Sequence, residues 1–329
     1  MYKSKKKVYN ILMKKKLRLI YTHTAGNGSF KTELDTVISI LSPKYDISIF
    51  RANNLTEIKF FMQTIKPNEY DVIASAGGDG TLNVVAGSIV KNGLNSVLGI
   101  IPAGTSNDFA RKIGISRAFS SAAETILNGS IKEVDVGFVG HGDLAMSQYS
   151  TFDLRDYEKK EFFINVFGIG TLTNVSNYVK QQAKSTLGNM AYYFKGIEKL
   201  QKLEPMKLKI TTTNRVYEDE FLFALALNTG AAGGFDKLVR RAKIDDGKLD
   251  FIAIKDKGPT TLPTLLVRLM MDEHLTDERI IYFRDSYVKI ESLENKDSYE
   301  TNIDGEKGPE KLPLEIIVGH KKLKIFEVL

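Results

Sequence analysis

Over its first third the chain switches its hydrophobic period back and forth between two residues and about 3.6, and few folds accept that pattern. Leu17 to Tyr21 reads as a buried strand, and Phe30, Leu34, Val37, Ile38 and Leu41 then fall on one face of a helix. Asp46 to Phe50 reads as a second strand, Ile58, Phe61, Met62 and Ile65 stripe a second helix, and Asp71 to Ser75 is a third strand. A helix over Leu82 to Val90, a strand over Val97 to Ile101 and a helix near Ser106 to Ile113 continue the series. Repeated strand–helix units imply an α/β, doubly wound, mostly parallel sheet covered on both faces, whose ligands sit beyond the carboxyl ends of the strands.

After Asp135 the texture changes to short β-rich runs: Phe162 to Val166, Met206 to Thr213, Phe221 to Asn228, Lys248 to Ile254, Ile280 to Phe283, Tyr287 to Glu291 and Leu314 to Val318. Turn signals such as Asp246-Gly247 and Asp304-Gly305 separate several of them. This predicts an antiparallel β-sandwich as a second domain, interrupted by helical stretches near Leu187 to Leu203 and Thr261 to Met271. The organisation expected is a basic segment at 1–16, a nucleotide-binding domain at 17–135 and a lipid-binding sandwich at 136–329, with the final strand or tail returning to the first domain. A chain of 329 residues suits two cores.

Composition narrows the chemistry. The chain has no cysteine, which removes disulfides, thiolate zinc sites and a cysteine nucleophile together. His23, His141, His274 and His320 show no metal-ligand spacing. No apolar run reaches the roughly 20 residues a membrane helix needs, so the expected location is cytoplasmic, peripheral at the membrane surface. The net charge of +6 is concentrated at Lys3, Lys5, Lys6, Lys7, Lys14, Lys15, Lys16 and Arg18, with no acid among them. Such a segment is either a solvated tail or a contact for an anionic surface, and salt-sensitive vesicle binding separates the two. The motifs below favour membrane over nucleic acid.

Directly after the third strand comes Ala76-Gly77-Gly78-Asp79-Gly80-Thr81, opening a helix with an apolar face of Leu82, Val85, Ala86 and Ile89. Glycines allow backbone N–H groups to approach a phosphate, and a helix N-terminus adds favourable partial charge. A carboxylate there makes sense if Mg²⁺ lies between it and the phosphates; otherwise Asp79 is a capping residue of a helix-opening turn. The next strand ends in Pro102-Ala103-Gly104-Thr105-Ser106-Asn107-Asp108-Phe109-Ala110-Arg111, so neighbouring strands deliver two polar loops to one sheet edge.

Gly-Gly-Asp-Gly-Thr followed by Pro-x-Gly-Thr-x-Asn-Asp-Phe-Ala-Arg resembles the diacylglycerol kinase catalytic domain, shared by bacterial soluble diacylglycerol kinases, related lipid kinases and sphingosine kinases. Further matches are Asp135-Val136-Gly137, the Phe163 to Val166 run with Gly168-Ile169-Gly170, Asn228 with Gly233-Gly234, Ala242 to Asp250 and Asp304-Gly305-Glu306. The resemblance implies a lipid kinase that uses ATP and Mg²⁺, with its active site in a cleft between an α/β domain and a lipid-binding sandwich, and a homodimer. It implies nucleotide contacts at Gly26, Gly77, Gly78, Asp79, Gly80, Thr81, Gly104, Thr105 and Asn107. It also implies an acidic cluster of Asp79, Asp108 and Asp135 organising catalytic Mg²⁺, and a structural Mg²⁺ loop with the Asp246 side chain and the carbonyls of Lys243 and Lys248. The substrate it points to first is diacylglycerol; a sphingoid base or phosphatidylglycerol-type lipid is the alternative.

Departures from the family pattern are specific. Asn-Pro-x-Ser-Gly is replaced by Thr22-His23-Thr24-Ala25-Gly26, Thr171-Leu172-Thr173 stands where an acid is common, and residues 141–160 are an added stretch, either a lid over the cleft or an extra hairpin, with the hairpin favoured. The first loop motivates a competing reading as a non-catalytic sensor, and the Gly-Gly-Asp-Gly-Thr turn alone would also serve an NAD kinase or another small-molecule kinase. For the general base, the residues leave two readings open. If Tyr299 to Glu306 is a strand, Asp304 and Glu306 share a face as a close carboxylate pair, with Glu306 the base. If Asp304-Gly305 is a hairpin turn, Glu306 lies in solvent. The family resemblance favours the catalytic pair.

Overall fold

The computed structural model describes residues 14–142, 160–170, 204–230, 238–258 and 274–328, together with Thr261, Leu265 and Arg268. The lysines before Lys14, most of the added stretch at 141–160, Thr171 to Thr173, Gly233-Gly234 and the helix expected over Leu187 to Leu203 lie outside them. The chain divides into two compact units: one runs to Val134 and takes back the chain from Lys322, and the other is Asp135–Lys321.

The first unit is α/β. Strands β1 (Lys15–Thr22), β2 (Tyr45–Ala52), β3 (Val72–Gly77) and β4 (Val97–Pro102) pair in parallel in the order β2-β1-β3-β4. β3 and β4 are buried along their whole length, as continuous apolar runs in a covered parallel sheet should be. Helix α1 (Phe30–Leu41) turns Phe30, Val37 and Leu41 inward, and α2 (Leu55–Thr64) turns Ile58 and Met62 inward. Asn54 opens α2 by accepting a hydrogen bond from the Glu57 N–H at 2.9 Å, while Glu57 reaches back to the Asn53 N–H at 2.8 Å. That exchange satisfies two helix-end donors at once. α3 (Asp79–Lys91) follows β3 directly.

The helix expected near Ser106 to Ile113 is a single turn, α4 (Asp108–Lys112). Two elements have no counterpart in the sequence reading: α5 (Phe119–Asn128) and β5 (Ser130–Gly140). The buried face of α5 is largely small, Ala122 and Ala123 with Ile126, and the first half of β5 alternates at the surface. Both patterns give weak hydrophobic contrast.

The second unit is an antiparallel sandwich, built from β6 (Glu161–Phe163), β7 (Val166–Ile169), β8 (Met206–Thr212), β9 (Val216–Leu227), β10 (Leu249–Lys255), β11 (Ile280–Asp285), β12 (Tyr287–Ser292), β13 (Thr301–Ile303), β14 (Glu306–Lys307) and β15 (Leu314–Glu327). Its order is β14-β13-β7-β9-β8-β12-β15, with β10 also on β9 and β11 on β10. A core of Phe163, Phe167, Leu208, Phe221, Leu249, Val288, Leu314 and neighbours lies on one side of the long β9, and Leu222, Leu227, Val239 and Ile252 form a second. The run read as one strand from Phe162 to Val166 breaks at Ile164-Asn165, because those two N–H groups bond the Asp304 carboxylate. β15 runs on to Glu327, past the polar His320 to Lys322 that masks its continuity in the sequence. Among the described residues, no helix is long and apolar enough to cross a membrane.

Asp277, buried just ahead of β11, accepts hydrogen bonds from Arg279 Nε at 2.7 Å and Nη2 at 2.6 Å, with Arg268 Nε at 3.0 Å. The Arg279 hydrogen bonds hold its carboxyl at about 2, below its usual value. A folded value below the unfolded one, about 3.9, contributes about 2 kcal/mol above pH 4 and loses it as pH falls through the folded value. Asp277→Asn should therefore unfold more easily than the parent by about 2 kcal/mol at pH 7. Urea titrations at several pH values should show that difference shrinking from about pH 4 down to about pH 2.

Candidate active site

The carboxyl ends of β1, β3 and β4 carry three loops that are bonded to one another. The Gly26 N–H donates to the Ala103 carbonyl at 2.6 Å, and the Ala103 N–H donates to the Gly77 carbonyl at 2.8 Å. Gly104 lies against Gly78 so closely that a Cβ on Gly104 would collide with the Gly78 Cα. Gly104 is therefore required by backbone-to-backbone contact between the two motif loops, while a Cβ on Gly78 would sit tightly at 3.3 Å from the Gly104 Cα.

Asp79 ties the same two loops by charge. Its carboxylate accepts the Asn107 N–H at 2.9 Å on one oxygen and the Asp108 N–H at 2.8 Å on the other. Asn107 is left-handed at φ 50°, and its side-chain amide spans Gly104, accepting from the N–H at 3.0 Å and donating to the carbonyl at 2.7 Å. Asp108 is buried and paired with Arg111 at 2.9 Å. Capping, which the sequence reading offered as the alternative to a metal role for Asp79, is thus present, but the segment capped is the neighbouring loop. α3 itself begins at Gly78 with no side-chain cap, so its first-turn N–H groups at Asp79, Gly80 and Thr81 face outward from the helix end.

Several expected nucleotide contacts have their N–H groups committed inside the loops: Gly26 to Ala103, Gly104 to Asn107, and Asn107 to Asp79. Thr105 and Ser106 are different, since among the described residues neither backbone N–H has a hydrogen-bond partner. The altered first loop keeps an unusual backbone, with Gly26 at φ 63°, Asn27 at φ 54° and Gly28 at φ 88°. Asp79 and Asp108 supply hard oxygen donors of the type magnesium takes, and each Asp79 oxygen keeps a further lone pair, so this loop pair fits a cation that arrives with phosphates.

In the second unit the carboxylates are used differently. Asp135 is fully buried, and its oxygens accept from the Gly247 N–H at 2.7 Å, the Lys321 N–H at 2.8 Å and His320 Nδ1 at 2.8 Å. Its own N–H donates to the Ile244 carbonyl at 2.6 Å. Asp135 therefore clamps the Lys243 to Lys248 loop and β15 within its own unit. Asp246, expected to hold a structural cation with Lys243 and Lys248, instead pairs with Arg284 and accepts the Lys248 N–H at 3.2 Å. Arg284 also contacts the buried Asp250 at 3.2 Å. Among the described residues no group of three or more His, Asp or Glu side chains is placed to hold a metal ion. Asp246 thus has one oxygen on the Arg284 guanidinium and the other on the Lys248 N–H.

Asp304 and Glu306 are not a close carboxylate pair on one strand face, as expected from the sequence, because the backbone turns between them. Asp304 at φ 49° and Gly305 at φ 98° are the two central residues of a hairpin turn between β13 and β14. They do not form a strand, so positions 304 and 306 share no face. The Asp304 carboxylate turns back to accept the N–H groups of Ile164 at 2.8 Å, Asn165 at 3.0 Å and Val166 at 2.7 Å. Glu306 follows, exposed, as the first residue of β14. His320 was missed from the sequence because its contact with Asp135 spans 185 positions and leaves no spacing signal.

If Asp79 is the clasp between the loops, Asp79→Ala should leave the fold intact and release the Asn107 and Asp108 amides. Native-state hydrogen exchange at those two amides should accelerate by on the order of 10-fold or more, as expected when a hydrogen bond to a charged group is lost. Unchanged protection at both would remove the clasp.

Comparison with known proteins agrees with this geometry. Residues 16–139 match the family Diacylglycerol kinase catalytic domain, and residues 166–327 match the YegS C-terminal NAD kinase beta sandwich-like domain. A diacylglycerol kinase of Bacillus subtilis (strain 168) is 31% identical over 296 residues, covering 89% of this chain and 90% of the relative. One of Staphylococcus aureus (strain bovine RF122 / ET3-1) is 32% identical over 316 residues, covering 95% and 93%. A crystal structure from Bacillus anthracis str. Sterne, provisionally named a diacylglycerol kinase, superposes with a TM-score of 0.75 at 25% identity, covering 95% of this chain and 97% of that one. With such identity sustained over nearly the whole of both sequences, the protein belongs to the diacylglycerol kinase family of lipid kinases.

Proposed function

We propose that the protein transfers the γ-phosphoryl group of ATP to the hydroxyl of diacylglycerol, giving phosphatidate and ADP. The observation that carries this reading is the loop assembly at the ends of β1, β3 and β4, where an uncapped helix start and the unengaged N–H groups of Thr105 and Ser106 offer donors for phosphate oxygens. Phosphoryl transfer depends mainly on positioning and charge neutralisation, and loops bonded to one another in this way lose little order when a nucleotide binds. Mg²⁺ bound with ATP supplies neutralisation of the phosphate charge, and Asp79 and Asp108 are the residues of this unit that would hold it.

For the acceptor, the reading keeps Glu306 as the group that takes the hydroxyl proton. The lipid oxygen then bonds to the γ-phosphorus as the bond to the β-phosphate bridging oxygen breaks, and ADP leaves with that electron pair. Asp304 is reassigned from reacting partner to positioning residue, since its three N–H bonds fix the turn that presents Glu306.

Glu306→Gln keeps the shape of the side chain and removes its basicity. Incubated with labelled ATP, Mg²⁺ and a lipid extract, the parent protein should place label in the lipid phase. The variant should bind ATP normally and transfer label more slowly by on the order of 10²-fold, the usual size of a general-base contribution. Transfer at the parent rate would take the role away from Glu306, and label on a water-soluble acceptor would replace the lipid reading with a small-molecule kinase.

A further inference from the structure

Arg117 lies outside both motif loops, in the segment that leads into α5, yet its guanidinium is fixed on the second of them. Its Nη2 donates to the Gly104 carbonyl at 3.0 Å and to the Thr105 carbonyl at 3.1 Å. The segment carrying it is anchored by Phe119, whose ring packs edge-on to Phe30 at 5.3 Å and lines the space beside Gly26. The side chain itself is exposed, so its two contacts add little to core packing.

We propose that Arg117 is a positioning residue for the nucleotide phosphates, acting by aiming the Thr105 and Ser106 N–H groups; this rests on the kinase reading above. In a planar trans peptide the carbonyl of one residue and the N–H of the next point in opposite directions. Two successive carbonyls, at Gly104 and Thr105, are drawn to one guanidinium. The N–H groups of Thr105 and Ser106 must therefore point together to the opposite side of the loop, and these are the two N–H groups that have no partner among the described residues. A cation behind both carbonyls also polarises the two peptides and strengthens their N–H groups as donors. The Asn107 amide already fixes Gly104 but makes no contact with the Thr105 carbonyl, so the aim of the second peptide depends on Arg117. Both contacts come from the one nitrogen Nη2, so lysine, which also carries its charge on a single donor nitrogen but on a flexible unbranched stem, would keep the charge with a less fixed position.

The test compares parent, Arg117→Ala and Arg117→Lys. Calorimetric titration with MgATP gives Kd, lipid phosphorylation gives kcat with KM for ATP and for diacylglycerol, and thermal unfolding gives Tm. Arg117→Ala should weaken ATP binding and raise KM for ATP by roughly 10-fold, the scale of one lost hydrogen bond to a charged group. KM for diacylglycerol and Tm should stay at parent values, and Arg117→Lys should recover part of the loss. ATP affinity at the parent level in Arg117→Ala overturns the proposal while leaving the kinase reading standing. A fall in Tm that tracks the loss of affinity, with KM for both substrates rising together, overturns it in favour of a general packing role. A parent protein that binds no ATP removes the kinase reading, and the proposal with it.

Discussion

The Asp79 carboxylate accepts two consecutive backbone N–H groups from the neighbouring loop, and the organisation of the loops at the carboxyl edge of the parallel sheet depends on that interaction. A left-handed Asn107 followed at once by a one-turn helix is not a conformation that local propensity would hold. Held by Asp79, the segment places Gly104 against Gly78, and that backbone contact leaves room for no side chain. Each hydrogen bond to a charged acceptor is worth about 1.5–3 kcal/mol, enough for one carboxylate to set the loop's conformation.

The sandwich unit repeats the device with different residues. Asp304 gathers three successive N–H groups at 164–166 and so ends one strand and begins another. Asp135 gathers two N–H groups and a histidine from segments more than a hundred positions away. The reason acids recur in the family motifs is therefore partly structural, because several of them organise backbone before they meet any substrate. That leaves Glu306, exposed at the end of a turn made rigid by Asp304, as the carboxylate free to act as a base in the proposed reaction.

The architecture was legible because its signals are local. Switching periods placed β1 to β4 and the first three helices within a few residues, and the two loop motifs expected at one sheet edge are bonded to each other there. What stayed hidden was long-range or low in contrast. The helix at Phe119 is faced with alanines, and β15 carries a buried Glu315 that meets Lys160 at 3.1 Å and Tyr287 at 3.2 Å. No spacing rule couples positions 160, 287 and 315. Of the two readings open for 304 and 306, two positive φ angles select the turn, and the Asp246 carboxylate meets a guanidinium from Arg284 that sequence separation conceals. In both cases the residues singled out lie at organised positions, while the partners that determine their role come from elsewhere in the chain.

The central claim is that this loop assembly serves transfer of phosphate to diacylglycerol. Vesicles containing diacylglycerol, and separately vesicles containing a sphingoid base, can be offered to the protein with MgATP while phosphorus NMR follows the products. The account predicts a phosphatidate phosphomonoester appearing in step with ADP from the diacylglycerol vesicles. ATP that stays unchanged in the presence of diacylglycerol, or a phosphomonoester formed only on the sphingoid base, would contradict it.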